Sequence, residues 1–232
     1  MSETARISTL DGDGAFDCYL ARPAGPPTAA IVVIQEIFGV NAGIRRKCDK
    51  LAAEGYLALA PDLFCRLQPN VELDPDVEDE FKTALELMGR FDQDEGVRDI
   101  EATIRYARNS EGCAKVGVVG YCLGGRLAFM TAARTDGDAS VGYYAVGIDN
   151  LLREKHAIAN PLMLHIPTGD HFVGPEAQKA MHEGLDDHPK VTLCDYPGLD
   201  HGFATEIGQR RDEDGARLAD GRTSEFFAKH LA

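Results

Sequence analysis

The sequence predicts an α/β fold with a mainly parallel central sheet, helices on both faces and an N-terminal antiparallel hairpin. Three observations carry this. The runs "AAIVVI" (29–34) and "AKVGVVG" (114–120) are apolar throughout, as strands covered on both faces must be. Such runs alternate with helical patterns, as in 95–108, where Val97, Ile100, Ile104 and Ala107 recur at helical spacing. Finally, "DGDG" divides "ARISTL" (5–10) from "AFDCYLAR" (15–22), which reads as a turn between two antiparallel strands.

Each later element follows in turn. Residues 41–55 form a helical pattern ending at Gly55, and "YLALAPDLF" (56–64) is a strand running into Pro61. Helices are expected over 76–89 and 95–108, and after the strand at 114–120 another near 123–134. Strands at 140–146, 161–169 and 190–198 then alternate with helices near 175–186 and 212–230. With no repeat, linker or low-complexity tract, residues 1–232 read as one domain.

Charge and composition exclude several function classes. A net charge of −14 argues against nucleic acid or an anionic membrane as partner. No export signal is recognisable and no apolar run approaches the roughly 18 residues a bilayer span needs. The expectation is a cytoplasmic protein, a monomer or small homo-oligomer. Six cysteines without C-x-x-C spacing read mostly as buried, inert thiols rather than a disulfide or zinc framework.

In a parallel sheet, chemistry gathers at the carboxyl ends of the strands. Those ends bear Glu36, Cys122, Asp170 and His201. Gly120-Tyr121-Cys122-Leu123-Gly124 has the form of a nucleophile elbow with sulfur in place of oxygen. Such a turn lifts the thiol above the sheet at a helix N-terminus, whose dipole favours thiolate. The Leu123 N–H can serve an oxyanion there, with Ile37 N–H the candidate second donor. The order Cys122, Asp170, His201 is that of a nucleophile–acid–base triad on an α/β-hydrolase fold. His165, within "PLMLHIP", reads as a core histidine, and His171 as a minor competitor for the base.

At this point the chain resembles the dienelactone hydrolase (carboxymethylenebutenolidase) family of α/β-hydrolases. The segments "QEIFGVN" (35–41), "PDLF" (61–64), "GYCLGG" (120–125), "GDHFV" (169–173) and "HGFA" (201–204) carry the resemblance. It implies a triad of Cys122, Asp170 and His201, with Glu36 helping the thiol lose its proton when substrate binds. It also implies hydrolysis of an enol lactone, dienelactone to maleylacetate, with no metal or organic cofactor. Well-known members hold the substrate carboxylate with two arginines. Here Phe81 and Thr205 stand near those positions, and Leu85 near that of a neighbouring tyrosine. Phe38 and Tyr144 complete the expected pocket, with Arg126, and less so Lys82, as possible substitutes for the missing arginines. The expected activity is therefore cysteine-dependent hydrolysis of a lactone or carboxylic ester through a thioester. The alternatives are a neutral aryl ester or thioester as substrate, or a non-catalytic redox-sensing or binding module built on Cys122.

Overall fold

The computed structural model describes residues 2–232. All eight expected strands form: β1 (Ser2–Ser8), β2 (Ala15–Ala21), β3 (Ala30–Ile34), β4 (Leu57–Pro61), β5 (Val116–Tyr121), β6 (Ala139–Tyr143), β7 (Leu162–Pro167) and β8 (Val191–Tyr196). They make one sheet in the order β1-β2-β4-β3-β5-β6-β7-β8. The β1–β2 hairpin lies antiparallel at one edge, and β4 through β8 run parallel. This is the α/β-hydrolase arrangement that the sequence predicts.

The apolar runs are explained by the pleat. In β3, Ile31 and Val33 enter one core and Val32 and Ile34 the other, so each face of the strand needs apolar residues. One face is covered by α1 (Ala42–Ala53) and α6 (Glu213–His230), through Ile44, Cys48, Leu51, Phe226 and Phe227. The other is covered by α2 (Glu78–Arg90), α3 (Gln93–Asn109), α4 (Leu123–Arg134) and α5 (Pro175–Leu185). Helix starts follow their caps. Asn41 accepts the N–H groups of Gly43 and Ile44 at α1, and Asp92 those of Asp94 and Glu95 at α3.

Several strands stop short of their apolar runs. The run 140–146 reads as continuous strand, but Tyr144 adopts φ +37°, which turns the chain out of β6 after Tyr143. The residues gained by the loop, and the 3₁₀ segment Ile148–Ala157 after it, lie beyond the strand ends where the chemistry gathers.

The sharpest of these exits follows β5. Cys122 sits at φ 57°, ψ −112°, a strained conformation for an L-residue, and α4 begins at Leu123. Room for so tight a turn comes from Gly120. A Cβ there would stand 1.9 Å from the carbonyl oxygen of Gly124. Gly120→Ala should therefore destabilise the protein by about 3 kcal/mol or more. A thermal melt unchanged by that substitution would contradict the turn as described.

Candidate active site

Two strand ends supply the acid and the imidazole of the site. The chain leaves β7 through Gly169 to Asp170, and leaves β8 through Leu199 and Asp200 to His201. Asp170 Oδ2 accepts a hydrogen bond from His201 Nδ1 at 2.9 Å. Asp170 Oδ1 accepts the N–H groups of Phe172 (2.8 Å) and Val173 (3.1 Å), which fixes the carboxylate plane. Acid and imidazole are both buried. With Nδ1 committed to Asp170, Nε2 is left for the Cys122 sulfur, and Cys122 and His201 line one cavity. Burial opposes charge on His201, but hydrogen bonds to Asp170 and to Cys122, with their charges, outweigh it. The imidazole is raised from 6.5 to about 10.

Glu36 lines the same cavity. Removal from water raises its carboxyl, and the charges of His201, Lys47 and Arg210 oppose that rise. Leu123 follows the sulfur-bearing residue as the first residue of α4, and Ile37 lines the cavity from the loop after β3. Among the described residues, neither N–H bonds to another protein group outside the regular helix and strand ladders, so both are free for an oxyanion. The cavity encloses about 730 Å³ counted to its open mouth, and its wall is mostly apolar. Phe38, Phe81, Leu85 and Thr205 of the expected pocket all line it. The Thr205 hydroxyl is already spent on the Ile207 carbonyl at 2.9 Å.

Other expected pocket residues do not. Tyr144 is buried behind the imidazole, its ring centroid 5.0 Å from that of His201, so it supports the base rather than walling the pocket. Arg126 is held elsewhere. Its Nε donates to Gln93 Oε1 (2.6 Å) and its Nη1 to the Gly147 carbonyl (2.7 Å), bonds that bind α4 to α3 and the loop after β6. Lys82 pairs with Glu78 and Asp79 on the exposed face of α2. His171 gives its Nδ1 to Asp200 and stands outside the cavity. His165 bonds Tyr196 and Thr223 through its two nitrogens, and burial drives it down to about 3, a neutral core histidine.

A guanidinium does reach the cavity, from a position that sequence reasoning passed over. Arg210 lies 5.8 Å from the ring centroids of both Phe81 and Phe172. Its stem crosses Gly202 so closely that a Cβ there would meet Arg210 carbons at 3.2 and 3.4 Å. The loop that delivers it is pinned through Glu206. That carboxylate takes the buried Lys47 at 3.0 Å and Lys50 at 2.6 Å, while Arg46 bonds its carbonyl. No local pattern in 203–211 signals this. Met88, Val146, Phe172 and Ile207 also line the cavity, from four separate segments.

The remaining thiols differ from Cys122 in their surroundings. Burial pushes Cys18 and Cys48 far up, Cys65 to about 11, and Cys113 and Cys194 upward as well. Among the described residues one group could present metal-ligating atoms together, Asp170 with His171 and Asp200. Its donors are already engaged with one another and with His201. No helix among the described residues is long and apolar enough to cross a membrane.

The chain matches the Dienelactone hydrolase family over residues 16–231. It is 44% identical over 226 residues to a protein of Azospirillum brasilense provisionally named a carboxymethylenebutenolidase, covering 94% of this chain and 95% of the relative. It is 38% identical over 229 residues to the carboxymethylenebutenolidase of Pseudomonas putida, covering 98% and 97%. A crystal structure from Klebsiella pneumoniae, provisionally named a dienelactone hydrolase, superposes with a TM-score of 0.83 at 26% identity over 99% of both chains.

Because His201 holds its proton up to about pH 10, an imidazolium partner for sulfur persists across neutral pH. Iodoacetamide should label Cys122 first, ahead of the five thiols whose burial pushes them up. Peptide mapping that found Cys65 or Cys194 labelled first would contradict an accessible thiol paired with His201.

Proposed function

Because this chain belongs to the dienelactone hydrolase family, a family of lactone and ester hydrolases, we propose that it works through Cys122 and a thioester. The observation that carries this is one cavity shared by an elbow thiol and an imidazole already bonded to a buried carboxylate. Sulfur of Cys122, paired with the His201 imidazolium, adds to the acyl carbon. The oxygen gains charge facing the N–H groups of Ile37 and Leu123. The tetrahedral species expels an alkoxide or enolate, which takes the His201 proton. A lactone opens at this step and its leaving oxygen stays tethered. His201 next takes a proton from water, the resulting hydroxide adds to the thioester, and sulfur leaves as thiolate while the carboxylate is released. Glu36 provides an alternative seat for the thiol proton, since burial has raised its affinity for one.

The substrate we favour is a lactone or ester that carries a carboxylate, of the kind the family reaction implies. Phe81 and Thr205 supply no charge, and Arg210 is the guanidinium that lines the cavity. A second reading, a neutral aryl ester, is favoured by the apolar wall of Phe38, Phe81, Met88 and Phe172. Under both, activated groups such as enolates and aryl oxides leave readily from a thiol adduct and amines do not, so amidase activity is expected to be slight.

Cys122→Ala should lower turnover of p-nitrophenyl acetate by about 1000-fold or more. Wild-type turnover in that variant would refute the mechanism. Charge-assisted contacts of about 1.5–3 kcal/mol correspond to roughly 10- to 150-fold. Arg210→Met should therefore cut the ratio of kcat/KM for a carboxylate-bearing lactone to that for its neutral analogue by about 10-fold or more. An unchanged ratio would favour the neutral ester.

A further inference from the structure

We propose that Asp200 is a positioning residue that ties the acid-bearing loop to the base-bearing loop and so sets the reach of His201 toward sulfur. Asp170 and His201 leave from adjacent strands, β7 and β8, so acid and base meet only if their two loops are held together. The Gly169 N–H bonds the Leu199 carbonyl at 2.8 Å, and the Gly198 N–H bonds the Thr168 hydroxyl oxygen at 2.9 Å. Those contacts lie before the functional residues. At the functional residues themselves the cross-tie is the Asp200 carboxylate. Its Oδ1 accepts the backbone N–H of His171 at 3.1 Å and of His201 at 2.6 Å. His171 Nδ1 donates to Oδ1 at 2.7 Å and to Oδ2 at 2.9 Å.

This arrangement holds His201 from two directions. One is the direct bond to its own N–H. The other runs through rings, since His171 packs on Phe172 with the rings tilted by 39° and centroids 4.1 Å apart, and Phe172 meets the His201 ring edge-on at 4.8 Å. Asp200 and His171 are each about half exposed, at 56% and 51%, and neither lines the cavity. An exposed ion pair contributes little to stability. Three donors converging on one exposed carboxylate, with His171 Nδ1 shared between its two oxygens, are better accounted for by geometry. Two of them are backbone N–H groups directly beside the acid and at the base. A misplacement of about 1 Å in such a group can cost on the order of 100-fold in rate. Asp200 touches no reacting atom, so its effect passes wholly through His201.

The proposal rests on the thiol–imidazole reading above, and the experiment separates the two. Turnover of p-nitrophenyl acetate, the rate of Cys122 alkylation at pH 7 and the melting temperature are measured for Asp200→Ala, Asp200→Glu, Asp200→Asn and Cys122→Ala. Asp200→Ala should lower kcat by about 10-fold with KM within about twofold, and slow alkylation comparably. Asp200→Asn keeps an oxygen for both N–H groups and should recover to within about threefold of wild type. Asp200→Glu keeps the charge but displaces it by a methylene. It should show the same loss in kcat, which decides the matter if the alanine variant does not fold. Wild-type kcat and alkylation in Asp200→Ala or Asp200→Glu, a loss confined to KM, or an asparagine variant no better than alanine would overturn the role. An active Cys122→Ala protein would instead sink the nucleophile.

Discussion

A cysteine at φ 57° is held against its own backbone preference, and the rest of the site depends on that restraint. The turn survives because β5 lies in the middle of the sheet, between β3 and β6, and because Gly120 lets the α4 backbone close over it. Relaxation would move the sulfur away from the imidazole and would shift the first turn of α4, which carries the Leu123 N–H. Strain at one residue is thus opposed by two hydrophobic cores packed against the same strand.

Electrostatics at the sheet edge runs counter to the chain as a whole. The protein carries −14 charges, yet the groups converging on Cys122 include an imidazole raised to about 10 and the guanidinium of Arg210. Asp170 makes the first possible. It is buried and hydrogen-bonded by two backbone N–H groups, so its fixed charge is felt at short range in a poorly hydrated site. At Glu36 dehydration raises the proton affinity while nearby cations restrain the rise. Two carboxylates at one site therefore have different chemistry, because one is bonded by donors and the other is chiefly desolvated.

The loop after His201 links catalysis to recognition. Its first residues place the base and its later residues bring Arg210 back over Gly202 to the mouth of the cavity. Lys47 reaches this loop from the buried face of α1, between Glu206 and Asp220, with Tyr121 and Tyr143 beside it. A buried ammonium with two carboxylates and two aromatic faces is well compensated, and breaking one partner would leave charge uncompensated. The loop is thereby held by α1 as well as by bonds among its own residues, Thr205 to the Ile207 carbonyl and Arg211 to the Thr205 carbonyl.

Periodicity and turn chemistry are local properties, and they made most of the architecture readable. Alternating burial in β3, the cap at Asn41 and the glycines around Cys122 all act within a few residues of themselves. For the same reason Cys122, Asp170, His201 and Glu36 could be placed at strand ends, since a parallel sheet brings all such ends to one edge. Side-chain direction across loops is not local. Whether Arg126 faced the cavity or the Gly147 carbonyl, whether Tyr144 walled the pocket or backed the imidazole, and which side chain in place of Arg126 or Lys82 brought a cation to the cavity were settled by packing between segments distant in sequence. The sequence by itself determined the sheet, its order of chemistry and the elbow, because short-range sterics and hydrophobic period specify them. Only the tertiary structure decided the pocket wall, the Arg210 entry and the Asp200 cross-tie, because each is made by loops that meet only after the sheet has formed.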